Sequence, residues 1–183
     1  MAISQSFGTV QKFEVIATEG TGRLLPLGSM MRVMRESLRA AYEYVSRNQK
    51  MLGIKVDFKK EYDISVLATQ MGVPKEGASA GITILTALVS ALLKKPVRHD
   101  IAMTGEITLK GKIAAVAGIQ EKLVAAAETG IRKVYIPKEN RREYESLPQK
   151  IKDSLEVQLV ESVKEVLGDA ILEYDTKAMF KQD

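Results

Sequence analysis

The chain has 183 residues, 45% hydrophobic and 27% charged, which is enough apolar content for one buried core and enough charge for solubility. Its 27 basic and 23 acidic residues leave a mild net charge of +4 with no basic stripe interleaved with aromatics, so no nucleic-acid partner is expected. With no cysteine and one histidine, His99, disulfides, thiolate metal sites and HExxH zinc centres are excluded.

The first element is expected at Thr9 to Ala17, "TVQKFEVIA", whose β-branched residues read as a strand. The turn "TEGTG" follows, and "RLLPLG" reads as a second, irregular strand. From Ser29 to Ser46, Met30, Met34, Leu38, Ala41 and Val45 recur at helical spacing, with Ser29 as the candidate cap. Met30, Met31 and Met34 fit a packing surface better than a cofactor box. Lys50 to Lys60 reads as a polar connection, and Tyr62 to Thr69 alternates as a strand.

A loop over residues 70–78 precedes a helix expected from Ser79 to Leu93, apolar on nearly every face and so central. Two short strands are expected at Ile101 to Leu109 and Lys112 to Ala117, around Gly111. A helix spans Ile119 to Thr129 and stops at Gly130. "KVYIP" is a strand, Glu139 to Ser146 a short polar helix, "LEVQLV" a strand and Ser162 to Leu172 the last helix. The reading is one α/β (α+β) unit over residues 1–172, with a mixed sheet and packed helices, then a frayed tail over 173–183.

The longest apolar run, Ala80 to Leu93, has 14 residues and falls short of the ~20 that span a bilayer. The opening "MAISQSFGTVQKFEV" lacks a charged-then-apolar signal pattern, so a soluble, cytoplasmic protein without a membrane partner is expected. "GEITLKGKI" approaches a phosphate-binding loop but has five residues between its glycines and Ile113 where Ser or Thr would meet magnesium. No cofactor or metal is expected in the chain itself.

"PKEGASAG", Pro74 to Gly81, places Ser79 at the mouth of the central helix. Backbone N–H groups at a helix start lack intrahelical partners and carry partial positive charge, which favours an oxyanion there. A structural N-cap serine fits the same pattern. Lys122 lies on or beside the apolar stripe Ile119, Leu123, Ala126 and Ala127. Its neighbours one turn away, Gly118, Ile119, Ala125 and Ala126, offer no carboxylate. Such a lysine either runs its head out to water or loses proton affinity to burial and becomes a general base.

The stretch from "PKEGASAGITILTALVSALLKK" through "TGEITLKG" and "GIQEKLVAA" to "KVYIPKEN" strongly resembles the proteolytic domain of Lon proteases, in order and in spacing. Weaker similarity extends to "GSMMRVMRESLRAA", "LGIKVDFKKEYDISV" and "VESVKEVL", so about residues 9 to 172 are covered. The resemblance implies a Ser-Lys dyad, with Ser79 as nucleophile, Lys122 as its base and Thr104 supporting the amine. Backbone N–H groups of Ala78, Ser79 and Ala80 would receive the oxyanion. This chemistry needs no histidine, and His99 is not expected to be catalytic. The chain departs from the family pattern at Glu76, where Asp is usual, and at Ala78, where Pro is usual. It also has Ser65 and Leu67 where many bacterial members carry histidines, and "QMGV" in place of an acidic loop.

The implied function is a serine endopeptidase acting on unfolded or damaged polypeptides. In this family the domain works with an AAA+ ATPase domain or subunit, which uses the ATP, in a homo-oligomeric, six-membered ring. The rival expectation is an idle Lon-like scaffold on a ring ATPase that acts on DNA.

Overall fold

The computed structural model describes residues 1–3 and 10–175. The chain begins with β1 (Ala2–Ile3), β2 (Val10–Gln11), β3 (Phe13–Glu19) and β4 (Leu24–Leu27). The expected first strand therefore breaks at Lys12, and Thr9 lies outside the described residues. Helix α1 (Arg32–Arg47) starts after the expected cap, because Gly28 and Ser29 both take left-handed backbone (φ 89 and 55) and turn the chain first. Ser29 Oγ donates to Met71 O (2.5 Å), and the helix start is served by Glu76, whose Oε1 accepts from Met34 N (3.2 Å).

The connection expected to be polar carries buried Leu52, Ile54 and Phe58 and a short helix, α2 (Phe58–Glu61). Leu52, Ile54, Val56 and Phe58 alternate as in a strand, yet the stretch runs through turns into α2, and Phe58 packs edge-on against Tyr42 at 5.3 Å. Strand β5 (Tyr62–Ala68) follows. A single 3-10 turn, Ala78–Ala80, then leads into α3 (Gly81–Leu93). Ser79 is thus in the turn ahead of the helix rather than in its first residue.

The strand expected from Ile101 to Leu109 divides into β6 (Ile101–Met103) and β7 (Glu106–Ile107). The break falls at Thr104 and Gly105: Thr104 N still makes the last sheet bond, to Tyr135 O (3.0 Å), whereas Gly105 N turns away to Ser79 O (2.9 Å). After β8 (Ile113–Ala114) come α4 (Ile119–Glu128), β9 (Lys133–Pro137) and a 3-10 turn, Lys138–Asn140. The chain continues through α5 (Arg141–Glu145), α6 (Gln149–Lys152), β10 (Glu156–Val160) and α7 (Val163–Ala170). Helix α6, a single turn, has no counterpart among the expected elements. The start of α7 is tied by Glu165 Oε1, which accepts from Ser162 N (3.0 Å) and Ser162 Oγ (2.8 Å).

The strands form a five-stranded sheet ordered β10-β9-β6-β1-β2, a three-stranded sheet ordered β3-β5-β4 and the β7-β8 hairpin. All neighbours in the larger sheet are parallel except β1 and β2. In the smaller sheet β3 runs antiparallel and β4 parallel to β5. Pro26 is tolerated because β4 is an edge strand. The fold is the expected mixed α/β arrangement.

The main core gathers α1, α3 and α7 around the smaller sheet, with Leu38, Val45, Ile64, Leu85, Leu88 and Leu167 at its centre. A second cluster holds α4 on the larger sheet through Ile119, Leu123, Ala126, Val134 and Ile136. Beyond α7 the chain stays packed: Tyr174 is buried and its hydroxyl donates to Leu52 O (3.1 Å). Residues 176–183, the rest of the expected tail, lie outside the described residues.

Candidate active site

The serine turn is held by its carbonyl groups. Ala78 O accepts from Ser37 Oγ of α1 (3.2 Å), and Ser79 O accepts from Gly105 N (2.9 Å). Two glycines make the geometry possible. Gly77 has φ 113, a backbone that L side chains rarely adopt. A Cβ on Gly81 would lie 3.0 Å from Ser37 Oγ and 3.1 Å from Ile107 Cγ1. Ser79 itself is half-buried and does not cap α3. Its hydroxyl makes no hydrogen bond among the described residues. The structural-cap reading of Ser79 is therefore not the one the turn adopts.

Lys122 points inward and is 1% exposed. Its Nζ donates to Thr104 Oγ1 (3.3 Å), and Thr104 Oγ1 in turn donates to Ser79 O (3.5 Å). The break between β6 and β7 is what brings Thr104 to this position. Serine turn, threonine and lysine, from three separated stretches of chain, thus share one hydrogen-bonded group. The amine and the Ser79 hydroxyl do not bond each other directly, and looser contacts of this kind are ordinary in a resting site. Burial pulls the Lys122 amine down to about 8, against a smaller upward pull from the Glu143 and Glu121 carboxylates. Snorkelling to water, the alternative reading of Lys122, does not occur.

Lys75 and Glu76, inside the motif, carry no role that their sequence neighbours suggest. The Lys75 ammonium donates to Gln70 O and to Val73 O (2.6 Å), closing the loop before the turn. Lys75 also exchanges backbone bonds with the chain before α1: its N–H meets Ser29 O (3.0 Å) and its carbonyl meets Met31 N (2.8 Å). These contacts span some forty residues and have no sequence period. Departures from the family pattern at Glu76 and "QMGV" fall in this loop. Ser65 and Leu67 lie on β5, opposite Ile16 and Glu14 of β3.

A cleft of about 420 Å³ opens beside Ala78, lined by Val33, Ala40, Ile107 and Leu109 with Glu36, Glu43 and Glu106 among its polar groups. A second cavity of about 320 Å³ lies against α3 and β6, and His99 lines it together with Thr83 and Met103. Ser79, Thr104 and Lys122 do not line that cavity, so the sole histidine stands apart from the lysine site.

A serine on a tight turn, beside a lysine buried against one hydroxyl, is the arrangement of a serine-type peptidase domain. The family described as Lon protease (S16) C-terminal proteolytic domain matches residues 1–173. The chain is 42% identical over 172 residues to the Lon protease of Finegoldia magna, covering 94% of this chain and 22% of that protein. It is 44% identical over 172 residues to Lon protease 2 of Desulfotalea psychrophila (94% of this chain, 22% of that protein). It is 46% identical over 160 residues to Lon protease 1 of Thermus thermophilus (87% and 20%). The chain belongs to the Lon proteolytic domain family, and it spans about a fifth of the length of these relatives. No helix among the described residues is long and apolar enough to cross a membrane.

Proposed function

We infer that the domain hydrolyses peptide bonds by acyl transfer to Ser79, with Lys122 as the base. The observation that carries this reading is the buried Lys122 amine, held by Thr104 beside the serine turn and lowered to about 8. The neutral amine takes the Ser79 hydroxyl proton as Oγ attacks the scissile carbonyl carbon. Backbone N–H groups of the Ala78–Ala80 turn receive the oxyanion, a contribution of roughly 3 to 4 kcal/mol in hydrolases. The Lys122 ammonium then returns its proton to the leaving amine as the C–N bond breaks. Water, deprotonated by the same lysine, attacks the acyl-Ser79 ester and releases the acid.

The substrates on this reading are unfolded or damaged polypeptides. Unfolding and ATP hydrolysis belong to an AAA+ ATPase domain or subunit, and the chain works in a cytoplasmic homo-oligomeric ring. Support for these points is family membership. The proposed chemistry uses no metal or cofactor in this chain. A peptide boronate or phosphonate followed by mass spectrometry tests the reading. Modification at Ser79 is the expected outcome; an unmodified Ser79 under conditions that inhibit cleavage would contradict it, and no modification and no cleavage would favour a scaffold.

A further inference from the structure

Lys122 sits in the first turn of α4, and that helix has no cap of its own. Gly118 precedes it in left-handed backbone (φ 73) and offers no side chain. The missing acceptors come from the segment after β9. Ile119 N donates to Glu143 Oε1 (3.1 Å), and Glu143 Oε2 accepts from Asn140 Nδ2 (3.0 Å). Asn140 also accepts from Val116 N (3.0 Å) and donates to Val116 O (2.8 Å), while Glu139 Oε2 accepts from Ala115 N (2.9 Å). These bonds clamp the lead-in to α4 onto the 139–143 segment.

A neutral acceptor suffices for the clamp, as Asn140 shows at Val116. A carboxylate at the helix start adds something a neutral group does not: a fixed negative charge near a base whose protonated form is positive. We propose that Glu143 is a positioning residue for Lys122, capping the helix that carries the base and supplying the carboxylate charge against which its amine titrates. This rests on the dyad reading of Ser79 and Lys122.

The other charges around the amine leave Glu143 as the principal one. Glu121, on the same helix, acts in the same direction and is the smaller influence. From β9, Lys133 is held by Asp169 (2.5 Å) and Glu156 (3.0 Å). On α5, Arg141 pairs with Glu145 (3.4 Å), and Arg142, next to Glu143 in the chain, is exposed to solvent. Strands β1 and β2 contribute Ala2, Ile3, Val10 and Gln11, none of them charged. Thr104 and the serine turn present hydroxyls and backbone only.

The sign follows from Coulomb's law. A carboxylate favours the ammonium, so removing its charge makes Lys122 release its proton at lower pH. Glu143→Gln keeps an oxygen for Ile119 N and removes the charge; Glu143→Asp keeps the charge on a shorter arm. The test is an NMR titration of the Lys122 ε-CH₂ and Nζ signals in the full chain labelled at lysine, with the pH profile of kcat/KM beside it. Glu143→Gln is expected to lower the Lys122 midpoint by about 0.5 to 1 pH unit and to carry the ascending limb of kcat/KM with it. Glu143→Asp is expected to stay near the parent midpoint even if its melting temperature falls. A purely structural cap would lower the melting temperature of variants and leave the Glu143→Gln midpoint unmoved, and that result overturns the proposal. The titration reads the amine itself, so the same midpoint shift is expected in a Ser79→Ala chain that cannot turn over. Hydrolysis that survives Lys122→Arg would instead sink the dyad reading, whatever the Glu143 titration shows.

Discussion

Lys75, in the loop before Ser79, and Lys122, in α4, are both buried lysines, 6% and 1% exposed, and they are held in opposite ways. Burial lowers the proton affinity of each. The Lys75 ammonium is fixed by two backbone carbonyls, which can only accept hydrogen bonds and so favour the charged form. Lys122 meets a hydroxyl, which serves an ammonium or a neutral amine. Burial alone therefore does not make a lysine a base; the chemistry of its partner decides. One lysine closes a loop, and the other can give up its proton.

The largest expected effect comes from removing the titrating lysine or its serine. Ser79→Ala, Lys122→Ala and Lys122→Arg should each lower kcat/KM for a peptide by on the order of 10⁴ or more, and Ser79→Ala with Lys122→Ala should cost little beyond either alone. Arginine keeps the charge but stays protonated at working pH. Steady-state kinetics check this, and an active Lys122→Arg would erase the distinction between the two lysines.

Next is stability. The unfolded lysine holds its proton to its ordinary value of 10.5, while the folded one releases it at about 8. Between those values the unfolded state binds more protons, so stability rises with pH; below about 8 both states are protonated and the burial penalty is full. Lys122→Met should therefore be more stable than the parent at neutral pH, by on the order of 3 kcal/mol, with the advantage gone once pH passes the unfolded value. Urea unfolding at neutral and alkaline pH measures it. A pH-independent difference would mean that the buried amine does not titrate as described.

A smaller effect is expected at the hydroxyl. Thr104→Val removes the partner of Lys122 and one donor to Ser79 O. It should lower kcat by roughly tenfold or somewhat more, the kinetic equivalent of one or two lost hydrogen bonds, while Thr104→Ser retains most activity. Equal loss in both variants would place the effect in packing rather than in the hydroxyl.

The smallest belongs to the other lysine. Lys75→Met frees the carbonyls of Gln70 and Val73, both on exposed residues that water can reach. A loss of about 1 kcal/mol in stability and a rise in KM are expected, with the pH limb of kcat/KM in place. A shifted limb would show that Lys75 shares the base's role.

The sequence makes α4 and the serine motif legible for a physical reason. Helical periodicity places Lys122 on or beside the buried stripe, and glycines at 77 and 81 mark a tight turn whatever the partner. The division of one strand at Thr104 leaves no such trace. It comes where Gly105 N turns out of the sheet to Ser79 O, well away along the chain. Glu76 at the start of α1 and Glu143 at the start of α4 escape for the same reason: each caps a helix from another element, so neither stands at a cap position of its own. Leu52, Ile54, Val56 and Phe58 stand at alternate positions, a signal passed over when the lysines and Gly53 of the stretch are read as a polar connection, although the Phe58 ring is buried. Local pattern sets the elements and the inward face of the base; contacts distant in sequence set its hydrogen bond and its charge.

The most direct test of the central claim is the rate at which a peptidyl phosphonate labels Ser79 as pH is raised, with the labelled site fixed by mass spectrometry. A neutral Lys122 base predicts label on Ser79, a rate that climbs through one ionisation near 8, and near-complete loss of labelling in Lys122→Arg. Labelling of Ser79 that is flat with pH, or that proceeds at the parent rate in Lys122→Arg, would contradict a neutral Lys122 as the base.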